Sequence, residues 1–362
     1  MRIKESRGDR HSLGRGHEGV WSPGIFFIHA FRPRAAGLTD RLGCIQGAEQ
    51  GGETVNKVLV TGSSGLVGEG VIAALEAGGV PVRRFDLFDK GPGRGDVRVA
   101  RELEKAIDGV DGVVHLAAVS RVIWGEREPE RCWRTNVEGL RNMLAAVAGV
   151  RRPPWMIFAS SREVYGEPDR LPADEDTPAR PVNIYGRSKV EGERLVSEAR
   201  KEGLPATTVR LSNVFGSVAD HSDRVVPAFA RAAASGLPLR VDGGSNTFDF
   251  THISDVSRGI VTLARLLDES GAGDALPPPI HFVSGRATSL DELAALAIRL
   301  ADTDSRTMSA PGRDFDVAHF RGDPSRARNV LGWQPRMSLE DGLAGLIRDF
   351  RLAEKSARPG IA

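Results

Sequence analysis

"KVLVTGSSGLVGEGVIAALEAGG", Lys57 to Gly79, is the stretch that decides the fold. "KVLVTG" reads as a short buried strand, and "LVGEGVIAALEAGG" as an amphipathic helix closed by glycines. Gly62, Gly65 and Gly68 punctuate the junction as G-x-x-G-x-x-G. Each has a predicted task. Gly62 makes the tight turn, Gly65 lets backbone approach a pyrophosphate, and Gly68 lets helix pack close to strand. The next strand, "VPVRRFDLF", carries Asp86 at its end, eighteen positions after Gly68. A carboxylate there accepts ribose hydroxyls and repels a 2′-phosphate, so the expected cofactor is NAD rather than NADP. Arg83 and Arg84 lie on the strand itself and read as structural.

Outward from this unit the pattern repeats. "VARELEKAIDGV" is helix, and "DGVVHLAA" is strand. "PERCWRTNVEGLRNMLAAVAGV" is a long helix, "WMIFASS" a strand, "NIYGRSKVEGERLVSEARKEG" a helix and "PATTVRLS" a strand. Alternation of this kind predicts an α/β fold with a doubly wound parallel sheet, the Rossmann arrangement. "HLAAVS", His115–Ser120, is expected to end the fourth strand. After about Asn213 the alternation weakens into a smaller, mostly helical C-terminal lobe. The expected organisation is a nucleotide domain over 56–212, to which late segments return. A substrate lobe follows over 213–350, then a fraying tail over 351–362. Residues 1–55 are Gly- and Arg-rich without a 3.6 or 2.0 period, and are expected to be disordered or spurious, with Val55 as a GTG start.

The net charge of +1 gives no electrostatic footprint for nucleic acid or an anionic membrane. No apolar run reaches the ~20 residues of a membrane helix. Cys44 and Cys132 have neither metal nor redox spacing, which predicts two reduced thiols in a cytoplasmic protein and no metal site.

Chemistry concentrates in two stretches. "IYGRSK" puts Tyr185 and Lys189 at i and i+4, on one helix face. An ammonium beside a phenol favours the phenolate, so Tyr185 is expected to titrate nearer neutrality and to exchange a proton with a substrate hydroxyl. "FASSREVYGEP", Phe158–Pro168, is a strand that runs out into a polar edge. His115 reads as a satisfied core histidine.

The ordered series "TGSSGLVG", "FDLF", "GDVR", "HLAA", "TNVEGLRNML", "SSREVYG", "PVNIYGRSK", "VRLSNVFG", "DFTHISDV" and "GDPSRARNVLGWQP" covers about Lys57 to Phe350. It resembles the extended short-chain dehydrogenase/reductase superfamily, in its NAD-dependent epimerase/dehydratase branch of UDP-glucose 4-epimerase type. The resemblance implies a Ser161–Tyr185–Lys189 triad, with Ser161 four positions before Tyr165. Tyr165 itself is structural, and Ser160 satisfies backbone. Cofactor contacts are implied at Ser64, Leu66 and Val67 of the turn, Asp96 and Val97 beside adenine, and Leu116, Ala117 and Ala118 under the ring. Asn136 would order water and the lysine.

Substrate contacts are implied at Ser120, Asn213, Val226, Pro227 and Arg313. Glu163 matches a glutamate of dehydratases and decarboxylases, but Arg162 stands where dehydratases carry an aspartic acid. Glu163 is therefore read as a site-lining residue or second base, and dehydration is disfavoured. Phe248 replaces a phosphate-binding arginine, a charge-assisted bond usually worth roughly 1.5–3 kcal/mol. The implied activity is epimerisation of a sugar nucleotide through a keto intermediate, with hydride passing to NAD and back. Net oxidation or reduction of a sugar or sugar nucleotide is the alternative, and a non-catalytic NAD sensor is a remote one. A homodimer is implied, paired through Cys132–Val147 and Tyr185–Arg200.

Overall fold

The structure is a computed structural model that describes residues 57–270, 276–313, 315 and 317–357. The expectation for residues 1–55, and Cys44 with it, lies outside the described residues. The first half of the chain alternates strand and helix. In order come β1 (Val58–Thr61), α1 (Leu66–Ala77), β2 (Val82–Phe85), α2 (Ala100–Ile107), β3 (Gly112–His115), α3 (Val122–Arg127) and α4 (Pro129–Trp133). A wider, π-helical turn at Arg134–Glu138 joins α4 to α5 (Gly139–Ala148), followed by β4 (Trp155–Ser161), α6 (Ile184–Lys201) and β5 (Ala206–Leu211). The second half holds β6 (Asn213–Phe215), α7 (Val225–Ala234), β7 (Leu239–Asp242), β8 (Thr247–His252), α8 (Ile253–Glu269) and β9 (Ile280–Phe282). It ends with β10 (Ala287–Ser289), α9 (Leu290–Ala301), β11 (Thr307–Ala310), α10 (Ser325–Leu331) and α11 (Leu339–Ala357).

Six strands form one parallel sheet in the order β2-β1-β3-β4-β5-β9. Its central strands are buried on both faces, which is why they read as continuous apolar runs. The two-residue period then divides the core. Val58 and Val60 point to a cluster with Val71 and Leu75 of α1 and Ile260 of α8. Leu59 points the other way, to Leu103 of α2, Met143 of α5 and Val196 of α6. The sheet is therefore covered by helices on both sides, as a parallel sheet requires.

β6 and β10 flank β8 in a three-stranded sheet, and β7 pairs with β11. These pack with α7, α9 and α11 around Phe229, Phe250, Leu293 and Leu343. Late in the chain, α8 and β9 join the first sheet instead. Two expectations are corrected. "HLAAVS" follows the third strand of the chain, because between β2 and α2 the backbone makes only an isolated bridge, Asp86 to Arg94. The closing helix continues to Ala357, past the point where the tail was expected to fray.

Candidate active site

The glycine turn has the geometry its spacing predicts. Gly62 sits at φ +69°, in the left-handed region, and a Cβ there would lie 2.8 Å from the backbone of Leu116 and Ala117. A Cβ on Gly68 would lie 2.2 Å from the Gly62 carbonyl oxygen, so helix and turn touch as closely as glycine allows. Gly65 faces open space apart from that carbonyl, 3.4 Å from its notional Cβ. Asp86 is buried at the end of β2 and accepts from the backbone N–H of Ser64 at 3.1 Å and of Phe88 at 2.8 Å. The Ser63 hydroxyl in the same turn is buried with no partner among the described residues. Asp96 is held by Arg98 at 2.5 Å, which keeps its carboxyl below the usual range, and Val97 packs on Gly139.

A cleft of about 350 Å³ opens between this edge of the sheet and the later segments. It is lined by Val67, Leu116, Ala118 and Ser120 from the main sheet's edge, and by Asn213, Val226, Pro227, Phe248 and Arg313 from later segments. Ser161, Glu163, Tyr185 and Lys189 line the same cleft. Leu66 opens α1, and Ala117 donates its N–H to the Thr61 hydroxyl at 3.3 Å, behind the cleft.

β4 delivers Ser161, whose Oγ accepts from the Glu163 N–H at 3.2 Å and whose hydroxyl favours the Tyr185 phenolate. α6 delivers Tyr185 and Lys189 on one face, both buried. Asn183 starts that helix, accepting from the Gly186 N–H at 2.7 Å. The same side chain donates to Glu163 Oε2 at 2.8 Å, while Arg162 pairs with Glu163 Oε1 at 2.8 Å. Both oxygens of Glu163 are thus engaged by neighbours, which weighs against the second-base reading. Asn183 was missed from the sequence, although an asparagine three residues ahead of a helical N–H is a capping signal.

Three expectations change. Lys189 does not draw Tyr185 toward neutrality. Its Nζ donates to the Ala159 carbonyl at 2.7 Å and sits 5.8 Å from the centroid of the tyrosine ring. Burial pushes the Tyr185 phenol up to about 12, against the pull of the Ser161 hydrogen bond. Burial also brings the Lys189 ammonium down to about 8. Asn136 does not reach the lysine either. Its amide is committed to Val119 N at 2.7 Å and to the Ser188 hydroxyl at 2.9 Å. Ser160 bonds a side chain, Glu193, rather than backbone. His115 and Tyr165 are as expected: both are buried, and burial drives the histidine to about 3, hence neutral.

A profile described as the NAD dependent epimerase/dehydratase family matches residues 58–276. A UDP-glucose 4-epimerase of Streptomyces lividans is 31% identical over 312 residues, 77% of this chain and 91% of the relative. Among solved structures, the Thermotoga maritima UDP-glucose 4-epimerase with UDP-glucose superposes at TM-score 0.74 and 28% identity, over 82% of this chain and 99% of that one. MoeE5 in complex with UDP-glucuronic acid and NAD gives the same TM-score and identity over 82% and 100%. The chain belongs to the NAD-dependent epimerase/dehydratase family.

The family's cofactor fits the residues present. Gly62 and Gly68 leave no room for a side chain, Gly65 keeps the face of the turn open, an orphaned hydroxyl lies in the turn, and an acidic strand end stands beside it. The pKa shifts have a measurable consequence. The chain has two tyrosines, and burial raises both Tyr165 and Tyr185. Spectrophotometric titration of the cofactor-free folded protein is expected to show almost no phenolate at pH 10, the ordinary midpoint; half-ionisation there would contradict the buried geometry. The sign follows from proton linkage. The unfolded chain releases the Tyr185 proton at 10 and the folded one at about 12, so this residue lowers stability as pH rises through that window. Lys189 acts oppositely: its burial penalty is full below about 8 and is relieved toward 10.5.

Proposed function

We propose that the protein is an NAD-dependent epimerase of nucleotide sugars working through Ser161, Tyr185 and Lys189. The observation that carries this reading is that Ser161, Tyr185 and Lys189 line one cleft together with Val67 and Leu116 beside the glycine turn and with Asn213 and Phe248 of the later segments. Relatives named UDP-glucose 4-epimerase along most of the chain support it.

NAD, held by Gly62, Gly65, Gly68 and Asp86, supplies a positively charged ring and an acceptor for hydride. The protein's own groups manage the proton. Only as phenolate, the minor form of a phenol held at about 12, does the Tyr185 oxygen take the proton of the sugar hydroxyl, and it then returns it. Ser161 donates its single O–H to the sugar oxygen and holds it beside Tyr185. Lys189, charged below about pH 8, keeps its ammonium over the tyrosine ring, 5.8 Å from the centroid, and anchors that wall of the site through the Ala159 carbonyl. The buried wall keeps bulk water from the exchange. Elimination is disfavoured, because Glu163 is neutralised by Arg162 and bonded by Asn183. Incubation with UDP-linked sugars should give a mixture of two epimers with no net NADH. Accumulation of NADH in proportion to product would replace epimerisation with net oxidation.

A further inference from the structure

Arg162 is a buried cation that the epimerisation chemistry does not use. It directly follows Ser161 in the one-turn 3₁₀ helix Arg162–Val164, and its side chain is 8% exposed. The guanidinium lies 4.9 Å from the centroid of Phe248 and 5.6 Å from that of Phe320, so two rings fix its plane. One side of it pairs with Glu163 through Nη2 at 2.8 Å. The other nitrogen, Nη1, is buried and has no acceptor among the described residues. A guanidinium has five N–H donors in a rigid fork, and a buried donor without an acceptor is rare in a folded protein. Arg162 lines the cleft together with Ser161 and Phe248, so the unmatched donor is carried by a cleft residue.

Other cations of that wall are already matched. Arg121 is paired with Asp223 at 2.6 Å, Arg240 with Asp242 at 2.7 Å, and Arg224 with Asp220 at 3.6 Å. Lys189 donates a hydrogen bond to the Ala159 carbonyl. Arg162 therefore combines burial, fixed orientation and an open donor next to the catalytic serine.

We propose that Arg162 selects a substrate whose sugar carries a carboxylate, with Nη1 donating to that oxyanion. The inference rests on the epimerase reading above for the placement of the sugar beside Ser161 and Tyr185. The position favours a group on the sugar over the diphosphate, because Arg162 is covalently next to the serine that touches the reacting oxygen. A planar carboxylate also matches the fork of a guanidinium. Glu163 pairs with Nη2 and accepts from Asn183 on its other oxygen, which leaves Nη1 as the donor for a second carboxylate.

The test is calorimetric titration of the NAD-loaded protein with UDP-glucuronate, UDP-glucose, UDP and free glucuronate, on wild type and on Arg162→Met. Methionine keeps contact with both phenylalanines and removes every donor. Wild type is expected to bind UDP-glucuronate roughly 10- to 100-fold tighter than UDP-glucose, and the ratio should collapse toward one in the variant. NAD affinity should be the same in both, which a merely structural loss would not preserve. Equal loss for UDP-glucuronate, UDP-glucose and UDP would place the diphosphate on Arg162 and overturn the proposal. Unchanged ratios would overturn it too. If only free glucuronate binds, and does so through Arg162, the carboxylate assignment stands and the nucleotide-sugar reading fails. If no ligand binds wild type, both fail. Should Arg162→Met not fold, Arg162→Lys keeps the charge but loses the fork. It is expected to retain part of the preference, and a preference equal to that of wild type would overturn the proposal.

Discussion

Tyr185→Phe is expected to lower epimerisation by roughly 10²- to 10⁴-fold while leaving the fold and NAD affinity nearly intact. The ring is buried and packed in α6, so phenylalanine fills the same volume. Only the oxygen disappears, together with its hydrogen bond from Ser161. Ser161 keeps its bond to the Glu163 N–H, so the loss of stability should be about 1 kcal/mol. Steady-state rates, thermal unfolding and NAD titration on the same preparation check all three expectations. A variant with more than a tenth of wild-type turnover would remove Tyr185 from the proton path.

The second large effect is at the glycine turn, where two substitutions should part company. Gly68→Ala places a methyl 2.2 Å from the Gly62 carbonyl oxygen and 2.8 Å from the Ser63 Cα. Both neighbours are backbone and cannot rotate away, so the turn must move. The expected cost is roughly 1–3 kcal/mol of stability, with NAD binding lost as the cradle distorts. Gly65→Ala meets only the Gly62 carbonyl at 3.4 Å, and its backbone is at φ −84°, which alanine adopts freely. Its unfolding temperature should stay close to wild type while NAD affinity falls, because the methyl stands where the pyrophosphate approaches. Thermal unfolding beside cofactor titration separates the two. Equal NAD affinity in Gly65→Ala and wild type would move the dinucleotide away from this turn.

These glycines show which features were legible in the sequence. Their tasks depend on a local strand–turn–helix geometry that spacing encodes, and the structure assigns each the expected surroundings. The i, i+4 placement of Tyr185 and Lys189 was legible for the same reason. Their electrostatics were not. The direction of the Lys189 ammonium is set by the Ala159 carbonyl on β4, and the height of the tyrosine pKa by burial under segments distant in the chain. Arg162 is the sharpest case. An arginine between Ser161 and Glu163 could equally have pointed to solvent; Phe248 and Phe320, brought in by later segments, fold it inward. The three-residue strand β9 is too short to declare its partner from sequence; its pairing with β5 makes it one of the late segments that return to the main sheet.

The most direct measurement uses a nucleotide sugar deuterated at the carbon whose configuration inverts, incubated with the enzyme in ordinary water. Full retention of the label in both epimers is expected, since the hydrogen leaves and returns without meeting solvent. Wash-out of the label in step with epimerisation would mean that a carbon acid is deprotonated instead, and would contradict the role given to Tyr185.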